Sequence, residues 1–147
     1  MKAIGIDIGT TGICGAVVDT ESGRVLRSVT ENSEAFLVGC AEWERIQSVE
    51  RIMAVADGIL EALFDPEVAA IGVTGQMHGI LYINAEGEAV SPLYTWQDGR
   101  GDQPYRGTTY AKLLGSFSGY GNVTDFYKPR CGRGGTAPRS AFRQTSW

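Results

Sequence analysis

The sequence predicts an α/β fold, in which a three-stranded antiparallel meander is followed by a helix and a parallel strand in a mixed sheet. Three observations lead there. Apolar residues alternate with small or polar ones from Met1 to Thr30, a helical stripe sets in from about Trp43, and a short continuous apolar run follows that stripe directly. A helix lying between two strands implies a crossover unit, which sets its strands parallel.

Taken in order, Ile4, Ile6 and Ile8 share one face of the first strand, Gly9-Thr10-Thr11-Gly12 is a tight polar segment, and Ile13 to Val18 returns as the second strand. Asp19 to Gly23 supplies the next turn, and Arg24 to Thr30 the third strand. Val49, Ile52, Met53, Ala56, Leu60, Leu63 and Phe64 then fall on one helical stripe, with Glu44, Arg45, Glu50, Arg51, Asp57 and Glu61 largely elsewhere. Asp65-Pro66 stops the helix. Val68 to Val73 has the pattern of a strand buried on both faces, and it ends in the loop Thr74-Gly75-Gln76-Met77-His78-Gly79. Ile80 to Ile83 and Leu93 to Trp96 suggest short strands around a turn at Asn84 to Glu88, and Tyr105 to Leu114 suits a helix. Beyond Tyr127 periodicity is lost, and the abundance of Arg, Gly, Pro, Ser and Thr favours a loop or disorder.

A chain of 147 residues with 43% hydrophobic and 20% charged side chains fits one soluble globular domain and excludes collagen-like, coiled-coil and globally disordered classes. Cys14, Cys40 and Cys131 are far apart and form no C-x-x-C pair, so neither a disulfide framework nor a zinc cluster is indicated, and a reducing compartment is expected. Asp7 interrupts the first apolar stretch, and no run approaches the ~18 apolar residues of a membrane span. A cytoplasmic protein is the expectation. The net charge of −4 conceals a division, because residues 1–125 carry all 17 acidic side chains and a net charge of −9, while residues 126–147 carry +5 with no acid. Five positive charges without aromatic repeats are common in disordered tails, so nucleic acid is not an expected partner.

The chemistry of Asp7-Ile8-Gly9-Thr10-Thr11-Gly12 suits a phosphate. A carboxylate at a strand end precedes a turn whose glycines let backbone N–H groups approach an anion and whose threonines add hydroxyl donors. Asp7 faces away from Ile6 and Ile8, beside Ala3 and Gly5, where there is room to hold Mg²⁺ through water. The plainer alternative is a hairpin turn with an exposed Asp. No Walker A lysine sequence is present, and Gly132 to Ala137, which matches G-x-G-x-x-A, has neither the strand nor the helix that motif requires.

Three segments in order, Ile4-Gly5-Ile6-Asp7-Ile8-Gly9-Thr10-Thr11, Ile71-Gly72-Val73-Thr74-Gly75-Gln76-Met77-His78-Gly79 and Thr95-Trp96-Gln97-Asp98-Gly99-Arg100, resemble the FGGY carbohydrate kinases. The second and third are similar to the xylulokinase and sedoheptulokinase side of that family, and Gln97 with Ser118-Gly119-Tyr120-Gly121 tilts the resemblance toward sedoheptulokinase. The resemblance implies a partial actin-like ATPase (ribonuclease H-like) domain. It implies ATP and Mg²⁺ as cofactors, with Asp7, Gly9, Thr10 and Thr11 toward the phosphates and Asp7 toward the metal. Gln76, Met77, His78 and Asp98 would face a ketose. Gln76 and His78 can both donate and accept hydrogen bonds, Met77 offers apolar contact, and Gly75 and Gly79 let the backbone come close. Taken alone, His78 reads as a structural histidine, and Asp98 and Arg100 as a local salt bridge beside a core Trp96. Within the family reading Asp98 orients its loop or a sugar hydroxyl and is not the base.

The resemblance covers residues 1–127, the start of a first domain, and implies that the base aspartate, a second phosphate loop and the adenosine site lie elsewhere in such a kinase. Residues 128–147 read as a non-family basic tail, disordered or translated out of frame. Three readings therefore stand side by side: the N-terminal fragment of an ATP-dependent ketose kinase, inactive alone; a non-catalytic sugar-binding or regulatory module; and a decayed fragment without function. In each case Val68 to Thr74 would present an unpaired apolar edge, with self-association as the expected result.

Overall fold

The computed structural model describes residues 1–39 and 41–118. In chain order the elements are β1 (Lys2–Ile8), β2 (Gly12–Asp19), β3 (Val25–Asn32), β4 (Ile46–Gln47), α1 (Val49–Leu63), β5 (Val68–Gly75), β6 (Leu93–Tyr94), a 3-10 turn (Gly99–Asp102), β7 (Pro104–Tyr105), β8 (Thr108–Thr109) and α2 (Tyr110–Ser118). They form two compact units. Met1–Ala35 with Ser48–Met77 makes the first, and Phe36–Gln47 with the described residues from 78 onward makes the second.

The first unit is a four-stranded sheet in the order β3-β2-β1-β5. β1 pairs antiparallel with β2, β2 antiparallel with β3, and β5 runs parallel to β1, so the meander and the crossover both form as the periodicity predicts. Alternation buries Ile4 and Ile6 of β1 and Ile13 and Val17 of β2 on the face that α1 covers. Ser48 starts α1 by accepting a hydrogen bond from the Arg51 amide at 3.2 Å, which satisfies one of the donors a helix start leaves open. Ile52, Ala56, Ile59 and Leu63 are the buried helical residues. Helix and sheet meet closely at Gly15, where a Cβ would lie 2.5 Å from Ile59 Cγ2 and 2.6 Å from Leu63 Cδ1. Met53 and Phe64, expected on the buried stripe, are instead exposed. Met53 follows the buried Ile52 and is turned from it by about 100° around the helix, while Phe64 lies just past the end of α1 with an extended backbone (ψ 140°).

β5 departs from its expected burial on both faces. It is the sheet's edge strand among the described residues, and Ile71 and Val73 are 50% and 40% exposed. The cause is topological, since α1 packs over β1, β2 and β3. What remains is the bare apolar edge that its sequence anticipates.

The second unit has little regular structure. β4 pairs with β6, β7 pairs with β8, and single bridges join Phe36 to Gln47, Ile80 to Tyr94 and Ile83 to Ala89. The strand expected over Leu93 to Trp96 is therefore only two residues long, and Ile80 to Ile83 contributes bridges and no strand. The helix expected over Tyr105 to Leu114 starts later, at Tyr110, because Arg106 and Gly107 adopt positive φ (49° and 77°) and turn the chain between β7 and β8. Tyr105 and Tyr110 stack with centroids 4.5 Å apart.

Cys14 is a free, exposed thiol. Among the described residues no helix is long and apolar enough to cross a membrane. Cys40, Cys131, Gly119-Tyr120-Gly121, the Gly132 to Ala137 match and the basic tail 128–147 lie outside the described residues.

Candidate functional site

With Ile4 and Ile6 committed to the core, Asp7 emerges on the opposite, uncovered face of the sheet and is exposed. Its cross-strand neighbours are Cys14 on β2 and Thr74 on β5. Gly72 and Gly5 are register partners one step back on the same face, and a Cβ at either would meet nothing within 4 Å, so the surroundings of the carboxylate are open. The turn that follows is tight. A Cβ on Gly9 would stand 2.8 Å from the Gly12 carbonyl oxygen, a distance no side chain tolerates, so glycine is required there for close approach. The Thr11 carbonyl is held from below by the Ser33 amide at 3.1 Å and the Ser33 hydroxyl at 3.3 Å, and Thr11 itself is exposed.

The C-terminal end of β5 reaches the same end of the sheet because the strands are parallel and in register, with Ile8 opposite Gly75. The Gln76 amide donates to the Ile8 carbonyl at 2.9 Å. Gly75 permits this approach, since a Cβ there would lie 2.9 Å from the same Ile8 oxygen. The Thr10 hydroxyl donates to the Gln76 side-chain oxygen at 3.0 Å, so the two motifs touch through side chains as well. Asp7, Gly9, Thr10, Thr11, Gln76 and Met77 thus belong to one unit, and Met77 is 72% exposed.

His78 belongs to the second unit. It is exposed and holds φ of 60°, the left-handed region that few side chains adopt without glycine. Histidine, with Asn and Asp, is among the side chains found there more often than most.

Asp98, also in the second unit, has a fully buried side chain. One oxygen accepts from the Arg100 amide at 3.1 Å and from Arg100 Nε at 2.6 Å, and the other from the Arg45 amide at 3.0 Å and from an Arg100 terminal nitrogen at 3.1 Å. Burial alone would raise its pKa. The bonds from Arg100 and from the two backbone amides outweigh burial and hold it below the ordinary carboxylate value. The Arg100 guanidinium lies over the Tyr94 ring at 4.0 Å and over Trp43 at 5.5 Å, with Glu44 at 3.8 Å. Burial works against its charge, but the Asp98 bond prevails and its pKa is raised. Thr95 completes the cluster, its amide and hydroxyl both donating to the Arg45 carbonyl at 3.0 and 2.8 Å.

The local Asp98–Arg100 pair is therefore present, while Trp96, expected in the core in that reading, is 50% exposed. Trp43 and Arg45 were not among the sequence candidates. They lie 53 to 57 positions from Asp98 and Arg100, a separation at which no local pattern signals a partner.

Residues 2–107 match the FGGY family of carbohydrate kinases, N-terminal domain. The sedoheptulokinase of Mus musculus is 36% identical over 127 residues, covering 66% of this chain and 26% of that protein. The xylulose kinase of Streptomyces coelicolor is 28% identical over 144 residues, covering 98% of this chain and 27% of that protein. Among solved structures, the ligand-bound xylulose kinase from Lactobacillus acidophilus superposes with a TM-score of 0.62 at 23% identity, over 81% of this chain and 23% of that one. That likeness is one of fold, an α/β mixed sheet of the sugar-kinase, actin-like kind. The chain spans about a quarter of the length of these two curated relatives.

Proposed function

The chain belongs to the FGGY family of carbohydrate kinases, and from that membership we propose that it carries the first phosphate turn and part of the sugar loop of an ATP-dependent ketose kinase, for a xylulose- or sedoheptulose-like substrate. The observation that supports this most is the in-register parallel pairing of β1 with β5, which puts the Asp7 to Thr11 turn and Gln76-Met77 at one end of one sheet. Ligands of open α/β sheets bind at the carboxyl ends of strands.

Each residue has a role that its position allows. The Gly9 backbone and the hydroxyl of the exposed Thr11 suit phosphate oxygens. No cluster of three or more metal-binding side chains occurs among the described residues, so Asp7 with its open surroundings suits a cation that keeps most of its waters. Mg²⁺ when bound supplies charge neutralisation for phosphate oxygens. Gln76, Met77 and His78 form a contiguous segment with hydrogen-bonding and apolar groups for a polyol. With all its donors internal, Asp98 takes the orienting part of the expectation and positions its own loop. A cytosolic setting, where ATP is at hand, accords with this reading. The half-exposed apolar edge of β5 supports self-association of the chain, and sedimentation that finds only monomer at high concentration would refute it.

Calorimetric titration of the full chain tests the main reading. Asp7→Ala should weaken Mg·ATP at least tenfold and leave ketose binding in place, and His78→Ala should do the reverse. Heat with neither xylulose nor sedoheptulose nor Mg·ATP would sink the proposal. Ketose binding with no ADP formed would favour the sugar-binding module.

A further inference from the structure

The hydrogen bond from the Thr10 hydroxyl to the Gln76 carboxamide oxygen, at 3.0 Å, links the phosphate turn to the β5 loop through side chains within the first unit. We infer that Gln76 is a positioning residue that acts through Thr10: its side chain sets the phosphate turn and relays occupancy of the sugar loop to the anion site. This rests on the reading of that turn and loop as phosphate- and sugar-facing.

Three features make the link a relay and not a casual surface contact. The Thr10 and Gln76 side chains are partly buried, so the bond is less open to competition from water than an exposed one. The backbones on either side are already fixed. Gln76 N–H is tied to the Ile8 carbonyl at 2.9 Å, and Gly9 and Gly75 each approach a carbonyl so closely that a Cβ would fall within 3 Å of it. Displacement of the loop therefore cannot be absorbed by backbone slack and passes to the Thr10 side chain. Finally, the bond fixes the orientation of the carboxamide, whose oxygen accepts from Thr10 within the protein. Phosphoryl transfer depends on holding donor and acceptor to within a fraction of an ångström, so a link of this kind has a consequence for rate out of proportion to its strength.

Amide chemical shifts of the ¹⁵N-labelled full chain read the relay without any need for turnover. Titration with xylulose should move the amides of residues 75–77 directly and those of residues 9–12 through the link. In Thr10→Val, which removes the hydroxyl at nearly constant volume, the shifts at 9–12 should fall at least threefold while the affinity read at 75–77 changes less than twofold. Gln76→Met should likewise silence residues 9–12, and Thr10→Ser, which keeps the hydroxyl, should restore them. Undiminished shifts at 9–12 in Thr10→Val would overturn the inference, assigning the relay to the Gln76–Ile8 backbone bond, and would leave the proposed function intact. If neither xylulose nor sedoheptulose moves an amide of the unmutated chain, the ketose reading fails by itself. The link is then judged from the other end with inorganic phosphate, which should move residues 75–77 in the unmutated chain and at least threefold less in Thr10→Val, with equal shifts in both again overturning it.

Discussion

The two units of this chain are stabilised by different physics. The first buries Ile4, Ile6, Ile13, Val17, Ile52, Ala56, Ile59 and Leu63 between a hydrogen-bonded sheet and one helix. The second, among the described residues, has Ala111 as its buried apolar side chain and buries Gln47, Thr95 and Asp98 instead. Its strands are two residues long, and its loops are joined by a carboxylate, a guanidinium and two aromatic rings. The contrast teaches that a repetitive core tolerates open ends where ligands can bind, whereas a unit without one depends on a few polar groups that must all be satisfied.

The largest effect should come from breaking the apolar unit at its centre. Ile59 is fully buried against Gly15, and Ile59→Ala removes three carbons from a contact that the missing Gly15 side chain leaves room for. A loss of about 4 kcal/mol is expected in denaturant unfolding. Amide exchange should accelerate throughout β1, β2 and α1. A loss below about 1 kcal/mol would mean that the helix is not anchored at Gly15.

Somewhat less is expected from Asp98→Ala, about 3 kcal/mol, because the Arg100 side chain, 15% exposed, loses its closest anionic partner and keeps the longer Glu44 contact at 3.8 Å. Its exchange signature should be the complement of the first, with protection lost at Arg45, Thr95 and Gly99 and retained in β1 and β2. Acid should act on the same group. The Asp98 pKa is lowered on folding, so its contribution is present above the ordinary carboxylate pKa of about 4 and is lost as pH falls through the lower folded value. Thermal melts from pH 7 to 2 should show Asp98→Asn with a flatter acid limb than the unmutated chain. Parallel limbs would show that the cluster carries no such linkage.

The same division explains what could be read from the amino acids alone. The meander, α1 and β5 were legible because alternation at Ile4, Ile6 and Ile13 and the stripe through Ile52, Ala56 and Leu63 are local consequences of facing one core. The error at Met53 is one residue of helical phase, which decides burial but hardly alters the pattern, and the error at Phe64 is one residue of helix length. β5 was legible as a strand but not by exposure, because its apolar run is a property of the strand and its cover a property of the sheet. In the second unit, Arg45 and Trp43 could not be found, since Asp98 and Arg100 select them across more than 50 positions. Of the site, the Asp7 to Thr11 turn and the Gln76 loop were visible as motifs. The Thr10–Gln76 bond, which depends on the parallel register, was not.

The mildest change sharpens the contrast at the point where it is finest, His78, the first residue of the second unit to follow β5. Its φ of 60° costs about 1 kcal/mol for an ordinary side chain and less for histidine, which is several-fold enriched in that region. His78→Gly relieves that strain but adds freedom to the unfolded chain, which costs nearly as much. The net change in stability should therefore be under about 1 kcal/mol in either sign. If His78 is held in this conformation to meet a ligand, ketose affinity should fall at least fivefold in the same variant, with its melting point almost unmoved. A structural histidine predicts the opposite division, a clear loss of stability with ketose affinity unchanged, so one variant measured twice separates the two roles.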